Sequence, residues 1–343
     1  MLIDRRTFQT FEWRLAASAA LLAALSVVVI YSTSGAHASL IRRSLYLKQA
    51  TWVLVGLGAM ILLCSQHYRT IARLAYPIYT VTLAALVLVA LIGRSGFGAQ
   101  RWLTLGPLAF QPSEFMKLSL IVLLARYLED HKEELGAPRI FLLPIVLTLV
   151  PAALVLRQPD LGTALVLLFT SISVMLVVGL KIRYFLYIGG AALAIAPFLW
   201  SFLRDYQKNR FLVFVNPGSD PMGAGYHLAQ SKIAVGSGGL IGKGWMGATQ
   251  SQLNFLPANN TDFIFAGLAE QWGFIGCLGV LVLYAYLFSI GLRLARDARD
   301  LFSMIMSFGI VSMMALQVVI NIGMVIGIMP VVGIPLPLLS YGG

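Results

Sequence analysis

Nine apolar runs follow one another along the chain, each close to the roughly 20 residues that a helix needs to cross a bilayer core. They lie at about 13–33, 47–65, 72–93, 113–128, 140–156, 161–180, 183–203, 263–292 and 303–329. The chain is 59% hydrophobic and only 11% charged, whereas a soluble domain carries about a quarter charged residues. The surplus apolar surface must therefore face lipid, and the expected fold class is an all-α, polytopic integral membrane protein with residues 1–343 forming one membrane domain. The first run lacks a short core followed by an A-x-A cleavage site, so it is expected to remain as the first membrane helix. The stretch from Pro335 to Gly343 reads as the start of a tenth helix cut off by the end of the sequence, and a longer natural protein is expected.

Against this background one long polar segment stands out, residues 204–262. Loops of that length in a compact protein are functional or disordered, and this one is too patterned for a linker: Gly225-Tyr-His, Gln230-Ser-Lys, Gly236-Ser-Gly-Gly, Gly242-Lys-Gly-Trp and a final Thr261-Asp262. Lys and Arg in the short connections favour the N-terminal side by about two to one, which puts the N-terminus inside and the long loop outside. The formal charge of +11 comes mostly from the ends of apolar runs. There it reads as contact with anionic membrane lipids, and nucleic-acid binding is rejected. Cys64 and Cys277 have no CxxC spacing, and His37, His67, His131 and His227 have no metal-ligand spacing. The glycine-rich stretch ending at Lys243 has Ser237 and Gly244 where a nucleotide phosphate loop requires Gly and Ser or Thr, so it is not an ATP site.

Ionisable residues at membrane depth are costly and mark either internal pairs or function. Glu114 and Lys117 stand at i, i+3 on the fourth run, as an ion pair or as a cation and its orienting acid in a cavity for an anionic substrate. Asp160, three residues before Thr163, caps the sixth run or belongs to the same polar site. Asp262 precedes an apolar helix, where capping and chemistry compete for one carboxylate. Glu270 lies about 12 Å deeper on that helix at 1.5 Å per residue, and pairing with another helix is its expected role. With the loop outside, Arg101, Glu114, Lys117, Arg157, Asp160, Lys243 and Asp262 all fall near the outer leaflet. Acids among several bases suit a diphosphate-bearing substrate and a proton acceptor.

The motifs Gln111-Pro-Ser-Glu-Phe-Met-Lys117-Leu, Gln158-Pro-Asp-Leu-Gly-Thr163, Gln230-Ser-Lys-Ile-Ala-Val-Gly-Ser-Gly-Gly239, Thr261-Asp-Phe-Ile-Phe-Ala266 and Gly333-Ile-Pro-Leu-Pro-Leu-Leu-Ser-Tyr-Gly-Gly343 together resemble the SEDS family of bacterial cell-wall proteins. Gln230-Ser-Lys232, Gly242-Lys-Gly-Trp245 and Thr249–Pro257 are similar to its elongation members rather than its division members. The resemblance implies a ten-helix fold in the bacterial cytoplasmic membrane that polymerises lipid II into glycan strands on the outer face, beside a class B penicillin-binding protein. It implies Asp262 as the essential acid and associates Lys117 and Asp160 with activity. Where the family has Pro-Glu-x-His-Thr-Asp, this chain has Pro257-Ala-Asn-Asn-Thr-Asp262, so Ala258 and Asn260 cannot carry protons and Asp262 is the only acid there. The expected mechanism makes Asp262 the base that activates the acceptor sugar, with Lys117, Arg101 and, behind them, Lys243 stabilising the leaving diphosphate. A divalent cation, magnesium or manganese, held by Asp262 is an equally lawful role for that carboxylate. A lipid II transporter is the alternative from another class, although no inverted repeat is visible. A scaffold that only recruits the transpeptidase is the third reading.

Overall fold

The computed structural model describes residues 11–34, 44–96, 99–105, 108–187, 189–190, 194, 208, 212–214, 216, 220, 223–253, 255–256, 258 and 260–342. Most of the expected run at 183–203, part of the long polar segment, and Arg42 and Arg43 lie outside the described residues. The helices are α1 (Trp13–Thr33), α2 (Leu45–Cys64), α3 (Tyr68–Arg73), α4 (Ala75–Ile92), α5 (Pro112–Asp130), α6 (Leu142–Arg157), α7 (Leu161–Val177), α8 (Ala224–Gly238), α9 (Thr249–Gln252), α10 (Ile264–Arg296) and α11 (Leu301–Ile326). Helices Trp13–Thr33, Leu45–Cys64, Pro138–Arg157, Ile264–Arg296 and Leu301–Ile326 are long and apolar enough to cross a membrane, and Ala75–Leu91 and Leu161–Val177 are shorter apolar helices. The chain is a multi-pass membrane protein.

Two compact units emerge, one of Met1–His67, Asn209–Ile290 and Gln317–Gly343, the other of Tyr68–Lys208 and Gly291–Leu316. In the first, α1 turns Ser18, Ser26, Ser32 and Thr33 inward, and each hydroxyl donates to a carbonyl three or four residues back. That keeps a polar side chain satisfied where no water is available. Gln49 of α2 donates to Ser26 Oγ at 3.1 Å and accepts from the Gly342 backbone at 3.2 Å.

In the second unit, α5 buries Met116, Leu120, Ile121, Leu123, Leu124 and Leu128 against α4, α6 and α7. Small hydroxyls bridge the helices: Thr82 donates to Ser119 at 3.0 Å and Thr148 to Ser171 at 2.9 Å, as expected where polar contacts and close packing replace the hydrophobic drive between helices. An antiparallel sheet, unforeseen from the sequence, joins α4 to α5: β1 (Arg94–Gly96), β2 (Ala99–Leu105) and β3 (Leu108–Phe110) in the order β1-β2-β3. Phe110 stacks on Phe115, with centroids 4.5 Å apart, and so fixes the sheet beside the start of α5.

Two departures from the expected spans matter for the site. The stretch from Pro335 to Gly342 is turn and irregular chain, not helix. Pro335 and Pro337 each remove a backbone donor and clash with a preceding turn, which opposes helix formation. Second, α10 breaks at Gly273 (φ +63°, ψ −162°). The amides of Phe274 and Ile275 turn out of the helix to the carbonyls of Gly239 and Leu240, at 2.9 and 3.1 Å. In return the amides of Lys243 and Gly244 reach Glu270 and Gln271 carbonyls, at 2.9 and 3.0 Å. Helix ends inside a membrane protein need such replacement partners. A methyl group on Gly273 would lie 2.6 Å from the Leu240 carbonyl oxygen and closer still to the Gly242 nitrogen, both backbone atoms. Gly273→Ala is therefore expected to cost at least the ~1–3 kcal/mol of a residue held in backbone space open essentially to glycine, and more for the displaced loop. Thermal unfolding of the detergent-purified variant measures it.

Candidate functional site

The break divides α10 into unlike halves. Residues from Phe263 to Gln271 are buried on every side, whereas Phe274, Ile275, Leu278 and Val282 are exposed as lipid-facing side chains are. A helix buried all round belongs to a core, and Asp262 stands at the mouth of this one. Because the helix begins at Ile264, the cap position falls to Phe263 and Asp262 precedes it.

The turn leading to Asp262 is defined from both sides. Ala258, at φ +52°, lets its carbonyl accept from the amides of Thr261 and Phe263 at 3.1 and 3.2 Å. On the other side three successive carbonyls are taken. Asn260 O accepts from the Tyr341 amide at 2.8 Å, Thr261 O from Ser340 Oγ at 2.7 Å, and Asp262 O from Asn321 Nδ2 at 2.8 Å. The same Asn321 amide donates to Ile334 O at 2.7 Å, which fixes its orientation. Thr33, at the end of α1, donates to Asn260 Oδ1 at 2.8 Å, so the residue standing in place of the family's histidine is a tether. A Cβ built on Gly333 would sit 3.4 Å from Asp262 Oδ2, which places the carboxylate over the backbone of the Gly333-Ile-Pro segment. The polar residues Asn321 and Ser340 escaped the sequence reading, although an asparagine at membrane depth is itself a flag.

Lys243 and Glu270 belong to the helix break. The Glu270 carboxylate is fully buried and accepts from Lys243 Nζ at 2.7 Å, Thr249 Oγ1 at 3.0 Å and the Gln250 amide at 3.1 Å. Glu270 thus pairs with a loop lysine rather than with another helix. Lys243, proposed from sequence as a rear substrate cation, spends its charge on an internal acid. His227 of α8 lies with its ring 6.4 Å from that of Phe263, and its Nδ1 is buried with no hydrogen-bond partner among the described residues. Burial holds its pKa below the ordinary imidazole value, against a smaller upward pull from Asp220.

The second unit, taken by itself, holds two charge pairs. Lys117 is 4% exposed and its Nζ lies 2.8 Å from Glu114 Oε2, the pair expected from i, i+3 spacing. Glu114 is partly exposed and Lys117 is buried, so the acid is the more accessible member of the pair. Asp160 caps α7, accepting from the Thr163 amide at 3.2 Å and the Thr163 hydroxyl at 2.9 Å. Arg101 of β2 donates to the carbonyls of Gln158 and Pro159 and lies 3.9 Å from Asp160 Oδ2. The unforeseen sheet is what brings Arg101 to that helix junction.

Among the described residues, no three His, Cys, Asp or Glu side chains converge as a metal cage.

Comparison with known proteins matches residues 12–343 to the cell cycle protein family FtsW/RodA/SpoVE. The peptidoglycan glycosyltransferase MrdB of Escherichia coli is 43% identical over 324 residues, covering 93% of this chain and 85% of that protein. The peptidoglycan glycosyltransferase RodA of Treponema pallidum is 31% identical, covering 98% and 94%. Among solved structures, a chain of a peptidoglycan synthase complex that coordinates polymerization and crosslinking superimposes with a TM-score of 0.83 at 36% identity, covering 97% of this chain and 92% of that one. The rod shape determining protein RodA of Thermus thermophilus gives 0.71 at 33% identity, covering 97% and 91%.

Proposed function

The chain belongs to the FtsW/RodA/SpoVE family, and from that premise we propose that it is a peptidoglycan glycosyltransferase of the RodA type, polymerising lipid II into glycan strands during cell elongation. The observation that carries the reading is the near full-length similarity to named glycosyltransferases, joined to an acid, Asp262, set at a buried helix mouth by bonds to the carbonyls of Thr261 and Asp262. The protein works as one ten-helix domain in the bacterial cytoplasmic membrane, with the 204–262 loop and the site on the extracytoplasmic side. A class B penicillin-binding protein crosslinks the strands it makes.

The Asp262 carboxylate accepts the proton of the acceptor GlcNAc 4-hydroxyl as that oxygen attacks the donor's anomeric carbon. The new O4–C1 bond forms with inversion while the bond from C1 to the diphosphate oxygen breaks, and undecaprenyl diphosphate leaves. Charge grows on the leaving diphosphate in the transition state, where fixed cations act most strongly. Lys117 and Arg101, paired within their own unit to Glu114 and Asp160, are the cations proposed for that role. Lys243 is instead taken up by its ion pair with Glu270 and has a structural role. A divalent cation, when bound by Asp262 and the diphosphate, would add Lewis-acid stabilisation of that leaving group.

Lys117→Met, which keeps the buried length and removes the charge, is expected to lower kcat by about 10²-fold, the scale of losing one preorganised electrostatic contact. Steady-state polymerisation of lipid II measures it. The function itself is tested in proteoliposomes holding the purified chain and labelled lipid II. Glycan polymer is the expected product. Labelled lipid II crossing to the far side without polymer would instead establish the transporter reading.

A further inference from the structure

We propose that Ser340 and Asn321 are positioning residues for Asp262, and that the Gly333–Gly342 segment is the template on which the catalytic turn is set. The proposal rests on the reading of Asp262 as the acid.

The turn from Ala258 to Phe263 sits between loop and buried helix, where no regular ladder supplies partners for its carbonyls. Those of residues 260, 261 and 262 are consecutive and all three are bound, by Tyr341 N, Ser340 Oγ and Asn321 Nδ2. The holders are themselves held. Ser340 Oγ accepts from the Leu336 amide at 2.8 Å and the Ser340 amide donates to Leu336 O at 2.9 Å. Tyr284, buried in α10, donates to Pro337 O, and Gln49 accepts from the Gly342 amide. Val332, Ile334, Leu336 and Leu339 are buried. The segment is therefore anchored through side chains of α2, α10 and α11, and it grips the turn through Tyr341 N and Ser340 Oγ.

Two features separate this from ordinary loop packing. Asn321 is fully buried on an apolar helix and reaches both the Asp262 carbonyl and the Ile334 carbonyl, so one amide ties the acid to the template. Gly333, at φ +71°, lies beside Asp262 Oδ2, where an added Cβ would come to 3.4 Å from that oxygen. The same segment thus fixes the backbone of the acid and borders its carboxylate. A general base must lie within hydrogen-bond reach of its proton, and misplacement by 1 Å can cost about 10²-fold.

The test is steady-state polymerisation of lipid II by the full-length purified protein in detergent, with thermal unfolding run in parallel. Ser340→Ala removes the donor to Thr261 and is expected to lower kcat about 10- to 100-fold, with KM for lipid II within about twofold. Ser340→Thr, which restores the hydroxyl, should recover most of the loss. Placed on Asp262→Asn, Ser340→Ala should cost nothing further, since residues acting through one group are not additive. If Ser340→Ala does not fold, Ser340→Cys, nearly isosteric with a weak donor, must show the same kcat loss at unchanged KM. The proposal is overturned if Ser340→Ala keeps wild-type kcat while Asp262→Asn is inactive, if threonine fails to rescue, or if activity falls only in proportion to folded protein. Normal polymerisation by Asp262→Asn would instead remove the acid assignment itself, and this proposal with it.

Discussion

Asp262→Asn is expected to lower lipid II polymerisation by about 10²- to 10⁴-fold, the range contributed by a positioned general base, while leaving thermal stability within about 0.5 kcal/mol of wild type. Asparagine matches the shape of aspartate but cannot accept the acceptor's proton at neutral pH. The turn should survive the change because the backbone carbonyls of residues 260, 261 and 262 are each held by a hydrogen bond, from Tyr341 N, Ser340 Oγ and Asn321 Nδ2. Neither Ala258 nor Asn260 can substitute. Ala258 and Asn260 stand where the family carries an acid and an imidazole, and Asn260 is hydrogen-bonded to Thr33. Asp262→Glu keeps the charge but moves it outward by a methylene, and is expected to retain only a small part of the activity. Side-by-side turnover and unfolding curves of the three proteins check both halves of the expectation.

Lys243→Ala carries the second large effect, and it falls on stability. Glu270 has no exposed surface, and its carboxylate would keep only Thr249 and the Gln250 amide as partners. Breaking a buried pair from one side costs about 3–5 kcal/mol. Lys243 is itself partly exposed, so water can replace some of its contribution, and about 2–3 kcal/mol is expected here. The double variant Lys243→Met/Glu270→Gln should recover much of the loss, because neither residue is then left as an uncompensated charge. Activity per folded molecule should stay within about twofold in the single variant. A raised KM for lipid II at unchanged stability would instead return Lys243 to the substrate.

These two residues show where the sequence was readable and where it was not. The apolar runs mark most helices to within a few residues, because hydrophobicity alone decides what a bilayer accepts: 13–33 and 161–180 become Trp13–Thr33 and Leu161–Val177. Local pairings were equally legible. The Asp160 cap and the Glu114–Lys117 pair follow from i, i+3 spacing, and both are present. The sheet at Arg94–Phe110 was not, since β1 and β3 are three residues each and too short for an alternation to register. Nor was the break at Gly273, for glycine is common within membrane helices. Its cause is a distant loop that supplies backbone partners. The grip on Asp262 depends in the same way on contacts 59 and 79 residues apart in sequence. Spacing can nominate the acid, but only tertiary structure reveals what holds it.

The most direct test of the central claim is a single-turnover assay with purified protein and labelled lipid II, in which bound substrate and glycan polymer are quantified for wild type and Asp262→Asn. Equal binding is expected, with a ladder of glycan strands from wild type and almost none from the variant. Strands of the same length, formed at the same rate by Asp262→Asn, would contradict it.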